Sequence, residues 1–300
     1  MDARTSLAAR VLRTFGVAVV ATIALAGTSS ATRQSPAPAL TGALTFYAPF
    51  DGTLDASVAR GDRRLYSAAS RKEAARASVG APAEAVQLAR GEGRYGDALR
   101  VNLKSTPFVF FKGDGNIAYR PRDWSGTVSI WMRLDPDRDL LPGYSDPLII
   151  TPRGWNDAAM FVDFTRDDVP RRFRFAAFAD RGVWDPGKRE WEVVPVAERP
   201  MVEITGPRFA SDRWTHVAWT WSHFNTGRAD ETLVCYLDGA PVGSLTGRTQ
   251  TFTWEPREVA IALGVEFRGL MDELAIFNRA LSAEEVRSLQ HARLTPGSPR

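Results

Sequence analysis

Gly269–Leu289 reads GLMDELAIFNRALSAEEVRSL, close to the end of a 300-residue chain. Its first nine residues are apolar apart from two adjacent carboxylates, Asp272 and Glu273. Ser282 then stands three positions before Glu285, the spacing of a capping box, in which each side chain satisfies a backbone amide of the other. Val286 and Leu289 follow as an apolar stripe. The stretch therefore reads as a closing strand followed by a short helix over Ser282–His291. Neighbouring residues on a regular strand point to opposite faces. Asp272 is thus expected to share a face with Leu270, Leu274 and Ile276, with Glu273 on the other. That geometry separates the two acids and argues against a catalytic pair.

Upstream, strand signals dominate. Leu44–Pro49, Ala98–Leu103, Pro107–Phe111, Thr127–Leu134, Pro147–Thr151 and Met160–Phe164 are rich in β-branched and aromatic residues between Gly, Pro, Asp or Asn breaks. So are Arg172–Ala179, Trp214–Ser222, Thr232–Leu237 and Glu258–Gly264. Asp238-Gly239, before the Val242–Leu245 run, is a hairpin-turn signal, because both central turn positions favour positive φ. Ala68–Ser78, Ala-rich and polar, reads as a second helix. Many short strands with one terminal helix predict an all-β protein, a sandwich of two antiparallel sheets.

Composition narrows the function. Hydrophobic residues make up 44% and charged residues 24% of the chain, and the formal charge is +3 without a run of five like charges. Arginines are scattered, so no nucleic-acid footprint is expected. Arg4, Arg10 and Arg13 precede the 12-residue apolar run Phe15–Ala26 and the small residues Ser29-Ser30-Ala31. This is the pattern of an export signal over 1–31, and the run is short of the ~20 residues that span a bilayer. A secreted, periplasmic or cell-surface protein is expected, with no membrane span after cleavage. Residues 32–42 read as a linker, 43–294 as the folded domain and 295–300 as a disordered tail. Cys235 is the only cysteine, so no internal disulfide forms.

Six segments in order also carry a resemblance. They are Phe50-Asp51-Gly52, Gly96–Leu99 (GDAL), Thr127–Trp131 (TVSIW), Trp214–Ala218 (WTHVA), Cys235–Gly239 (CYLDG), and GLMDE at Gly269 followed by Phe277–Leu281 (FNRAL). Together they resemble the laminin G-like domains of the concanavalin A-like lectin/glucanase superfamily over Leu44–Leu289. The resemblance implies a jelly-roll sandwich and a choice among lectins, adhesion modules, carbohydrate-binding appendages, hydrolases and lyases. It also implies that acids near the end of the first strand approach the last strand. Asp51 and Asp55 are then candidates to meet Asp272 around a structural calcium ion, which takes six to eight oxygen ligands. The alternative is that Asp272 only accepts backbone hydrogen bonds.

Catalytic motifs are missing. Laminarinase-type hydrolases of this superfamily carry E-x-D-x-x-E on one strand, and this sequence has none. Glu190-Trp191-Glu192 has the right parity but lacks the third acid. His216, His223 and His291 form no zinc-binding spacing. His216, inside WTHVA, reads as a hydrogen-bonded core residue. Of the nine tryptophans, Trp124, Trp155, Trp184 and Trp191 fall in or near loops. Sugar C–H faces pack on aromatic rings while their hydroxyls need polar partners. Trp155, Trp184 and Trp191 are therefore the candidate ligand-binding residues, with Asn156, Asp157, Arg181 and Asp185 as polar partners. The expected function is a non-catalytic binding module for a glycan or a surface protein. The alternatives are a divergent glycoside hydrolase or polysaccharide lyase, or a structural envelope module.

Overall fold

Among the described residues, seventeen strands, most of them alternating inward and outward residues, form the frame of the fold. The computed structural model describes residues 37–102 and 107–295. The expected export signal, the first part of the expected linker and residues 296–300 of the expected tail lie outside the described residues. In chain order the strands begin with β1 (Leu44–Ala48), β2 (Val58–Ala59), β3 (Leu65–Ala68), β4 (Ser78–Val79), β5 (Val86–Ala89) and β6 (Ala98–Val101). Then come β7 (Phe108–Lys112), β8 (Trp124–Arg133), β9 (Ser145–Thr151), β10 (Ala159–Phe164), β11 (Phe173–Phe178) and β12 (Met201–Ile204). The last are β13 (Thr215–Phe224), β14 (Thr232–Leu237), β15 (Ala240–Thr246), β16 (Ala260–Val265) and β17 (Gly269–Phe277).

They form two antiparallel sheets. The first runs β15-β14-β13-β8-β17-β1-β2, with β6 also paired to β17 and β5 to β6; the second runs β12-β11-β10-β9-β16-β7-β3-β4. Between them lies one core built from alternate residues of both, among them Phe46, Phe111, Ile130, Val162, Phe175, Trp219 and Ile276. All ten expected strands are present. Asp238 and Gly239 both take positive φ (48° and 73°) in the β14–β15 turn, as a tight hairpin requires.

The C-terminal helix, Ala283–His291, has its capping box in full, with Ser282 accepting from the Glu285 amide and Glu285 from the Ser282 amide. Val286 and Leu289 cover the outer face of the first sheet beside Tyr47, Ala275 and Phe277. Two expectations need correction. Ala37–Ala43 is helical rather than an unstructured linker, because Leu40 and Ala43 bury themselves on that same outer face. Ala68–Ser78 is not an α-helix: a 3-10 segment, Arg71–Arg76, fits between β3 and β4, which pair with each other and leave no room for a longer helix.

Candidate functional site

The outward face of the second sheet carries a pocket of about 230 Å³ lined by Trp155, Trp191, Phe161, Met201, Tyr144, Asp146, Asp163, Arg174 and Glu192. Strand register places its polar floor. Asp163 on β10 pairs directly with Arg174 on β11. Both stand on the parity opposite to the core residues Val162, Phe173 and Phe175, so both point outward. Asp146 reaches the same spot through an irregularity. Val162 pairs with Leu148 and Phe164 with Ser145, so Asp163 alone faces Asp146 and Pro147 across the ladder. The extra residue in β9 turns Asp146 out beside Asp163.

Arg174 holds Asp163 with two hydrogen bonds, Nε to Oδ1 at 2.8 Å and Nη2 to Oδ2, and both residues are buried. Burial raises the Asp163 carboxyl against the pull of Arg174. Asp146 lacks such a clamp. Burial first, and then the Asp163 charge, push its carboxyl up to about 8, with Arg174 and Arg71 opposing. At neutral pH Asp146 is therefore a neutral acid that can donate a hydrogen bond, beside an Asp163 whose oxygens are held by Arg174. Tyr144 lies over the Arg174 guanidinium at 4.8 Å and fixes its plane.

Two of the three expected tryptophans form the pocket's apolar wall. Trp155 meets Trp191 edge to face, with centroids 5.1 Å apart at 87°, and keeps 40% of its surface open. One face of Trp191 is covered by Arg199 at 4.1 Å, which leaves Trp155 as the more exposed of the two rings. Trp184 lies outside the pocket: its indole donates to the Asn156 carbonyl, and its ring packs edge-on against Phe178. Trp124 is fully buried in a cluster with Trp221 and Trp254. The expected polar partners are also elsewhere. Asp157 accepts from Arg153 and from the Arg181 amide, and Asp185 is buried against Arg189. Of Glu190-Trp191-Glu192, Trp191 and Glu192 reach the pocket. Asp146, Asp163 and Arg174 were not singled out from the sequence. Their signal was there in part: Arg174 breaks the apolar outward face of RFRFAAFA, and Asp163 does the same in MFVDF.

The acids of the closing strand behave differently from the parity argument. β17 bulges between Asp272 and Ala275, and Glu273 sits there at φ 53°. The inserted residue shifts the register, so Leu274 and Ile276 face the core while Asp272 stays outside with Leu270. Glu273 turns to the same outer side, where the Tyr47 hydroxyl donates to it. The two acids therefore face one another's charge, contrary to the expected separation. Burial is the main cause that lifts Asp272 to about 8 and Glu273 to about 7.

Asp272 accepts from the amides of Tyr95 (3.1 Å) and Glu273 (2.8 Å). Asp51 accepts from the Asp97 amide at 2.9 Å and pairs with Arg293. Asp51 and Asp272 thus grip the same Tyr95–Asp97 turn. Asp55 is turned away from them and accepts from the Leu65 amide at 2.9 Å. Among the described residues no group of three or more His, Cys, Asp or Glu side chains is placed to hold a metal ion. Asp55 is thus bonded apart from the turn that Asp51 and Asp272 share, and Arg293 supplies positive charge between Asp51 and Glu273. His216 is buried, shares a 2.8 Å hydrogen bond with Ser129 and is driven down to about 3 by burial, as a core residue.

Comparison with known proteins agrees with this architecture. No curated protein matches the chain. Among solved structures, domain 4 of AbnA, a GH43 extracellular arabinanase from Geobacillus stearothermophilus in complex with arabinotriose, superposes with a TM-score of 0.52 at 18% identity, covering 83% of this chain and 98% of that one. The binding domain of Paraclostridial Mosquitocidal Protein 1 gives 0.52 at 14%, and the botulinum neurotoxin serotype D binding domain 0.53 at 12%. Each of these two covers 84% of this chain, which spans about half of their length (52%). At these identities the likeness is one of fold. A family model described as Concanavalin A-like lectin/glucanases superfamily matches residues 112–287, more than half of the chain, and with the two-sheet sandwich it places this protein in that superfamily.

Proposed function

We propose that this chain is a secreted, non-catalytic binding module that holds one ring of a glycan in the outward pocket of the second sheet. One observation carries the reading: Trp155, 40% exposed, lines the same pocket as Asp146, Asp163 and Arg174. A sugar presents an apolar C–H face and a rim of hydroxyls, and this pocket offers a matching ring and matching donors and acceptors. Its volume, about 230 Å³, is below the roughly 300–1,000 Å³ of sites for larger ligands, which suits a single ring. The arabinotriose complex of the arabinanase domain makes pentose oligosaccharides the first ligands to try. The test is a glycan-array screen of the full chain followed by calorimetry on the hits. Loss of all binding in the wild type, or equal binding by Trp155→Ala, sinks the proposal.

A hydrolase is the second reading, and the paired acids Asp146 and Asp163 favour it. Two neighbouring carboxyl groups, one of them able to donate a proton, are what glycoside cleavage uses. Against it stands the clamp of Arg174 on Asp163, which occupies the oxygens that a nucleophile or base needs free. Release of reducing sugar from a bound oligosaccharide, abolished by Asp146→Asn, would overturn the non-catalytic assignment.

A further inference from the structure

A second concavity, of about 580 Å³, lies on the outer side of the first sheet, where β6, β17 and β8 end. Its residues come from four distant parts of the sequence. Leu270 on β17 pairs with Arg100 on β6 and with Arg133 on β8, so the two arginines flank it on one face. Arg268 immediately precedes β17. Arg138 comes from the short helix Pro136–Asp139 that follows β8. All four arginines line the concavity, against only two acids, Glu92 and Asp139.

Those two acids are already engaged. Glu92 takes a terminal nitrogen from Arg100 (2.6 Å to Oε1) and another from Arg133 (3.2 Å), so one carboxylate is shared by two guanidinium groups. Asp139 accepts from the Asp135 amide at 2.7 Å. Arg133 is held further by Trp214, whose ring lies 5.2 Å from it. Arg138 has only a loose pair, 3.8 Å from Asp135, with three quarters of its side chain exposed, and Arg268 is exposed. The concavity thus has two positioned arginines at its base and two exposed ones at its rim, four guanidinium groups against the two carboxylates that line it and the Asp135 carboxylate beside Arg138. Guanidinium forks match the oxygens of sulfate and phosphate, and several of them converging suit a tetrahedral anion better than a single carboxylate.

We infer that this concavity is an oxyanion site, taking a sulfate or phosphate group through Arg100, Arg133, Arg138 and Arg268. The group is either a free ion or a substituent carried by a saccharide. The site is independent of the Trp155 pocket, which lies on the other sheet.

The test is calorimetry on the full chain at low ionic strength with sodium sulfate, sodium phosphate, and a sulfated disaccharide beside its unsulfated counterpart. Binding of the inorganic anions is expected, falling steeply with added chloride. A preference of tenfold or more for the sulfated disaccharide identifies a carried group; no preference between the disaccharides identifies a free ion. The double variant R138Q/R268Q, at the exposed rim, is expected to keep its melting temperature and its Trp155-dependent glycan binding while losing at least tenfold in anion affinity. No heat from any anion, or unchanged affinity in the double variant, overturns the inference. Failure of glycan binding at Trp155 leaves this result untouched.

Discussion

Asp146 shows how one side chain's environment sets what it can do. Its carboxyl is pushed up to about 8 by burial and by the neighbouring Asp163 charge, so in the proposed binding mode it can donate to a ligand hydroxyl up to about that pH. Glycan affinity is therefore expected to fall above pH 8 in the wild type and to lose that step in Asp146→Asn, as calorimetry across pH 6–10 will show. Trp155, already 40% exposed, makes the companion case. Trp155→Ala is expected to weaken binding about tenfold or more, or ~1.4 kcal/mol, with the melting temperature unchanged. Asp272 carries a stability prediction. Its folded value, about 8, lies above the ordinary carboxylate value of about 3.9. The folded state then binds more protons than the unfolded one between these limits, so stability falls as pH rises through that window. The slope from this one group is at most about 1.4 kcal/mol per pH unit, and Asp272→Asn is expected to flatten the pH dependence of urea unfolding accordingly.

At the scale of elements, two irregularities do what regular strands do not. The extra residue of β9 brings Asp146 beside Asp163, and the bulge of β17 brings Glu273 to the side of Asp272. Neither was legible from alternation, because a period of two assumes an unbroken ladder, and one inserted residue inverts every position beyond it. Segments whose signals are local were legible. The capping box of the terminal helix needs only Ser282 and Glu285, and Ser282→Ala is expected to cost about 1 kcal/mol, lowering the melting temperature by roughly 2–4 °C. Gly126 on β8 is a packing requirement seen only in three dimensions. A Cβ there meets the Trp221 ring at 2.2 Å. Gly126→Ala is expected to destabilise the protein by about 1–3 kcal/mol in denaturant titration, because the buried indole has no space to retreat.

The molecule as a whole is closed by its own C-terminal segment. Arg293 pairs with Asp51 near the end of the first strand and with Glu273 on the last, while Tyr47 of β1 donates to Glu273. The charge that joins the two ends of the domain is thus a guanidinium. Calcium added to chelated protein is expected to leave the melting temperature unchanged, whereas Arg293→Ala is expected to lower it; a calcium-dependent rise would return the Asp51–Asp272 region to consideration as a metal site. By itself the sequence determined the all-β sandwich, its ten main strands, the tight β14–β15 turn and the capped terminal helix. Those depend on local alternation, turn chemistry and capping, which neighbours in the chain carry. It also offered Trp155, Trp184 and Trp191 as candidate ligand residues from their loop positions, and of these Trp155 and Trp191 share a pocket. Only the tertiary structure decided that Asp146, Asp163 and Arg174 line one pocket with them, that four scattered arginines share one concavity, and that Asp51 and Asp272 hold one turn while Asp55 holds another strand. Those groupings come from cross-strand register and bulges between segments far apart in the chain, and no local signal carries them.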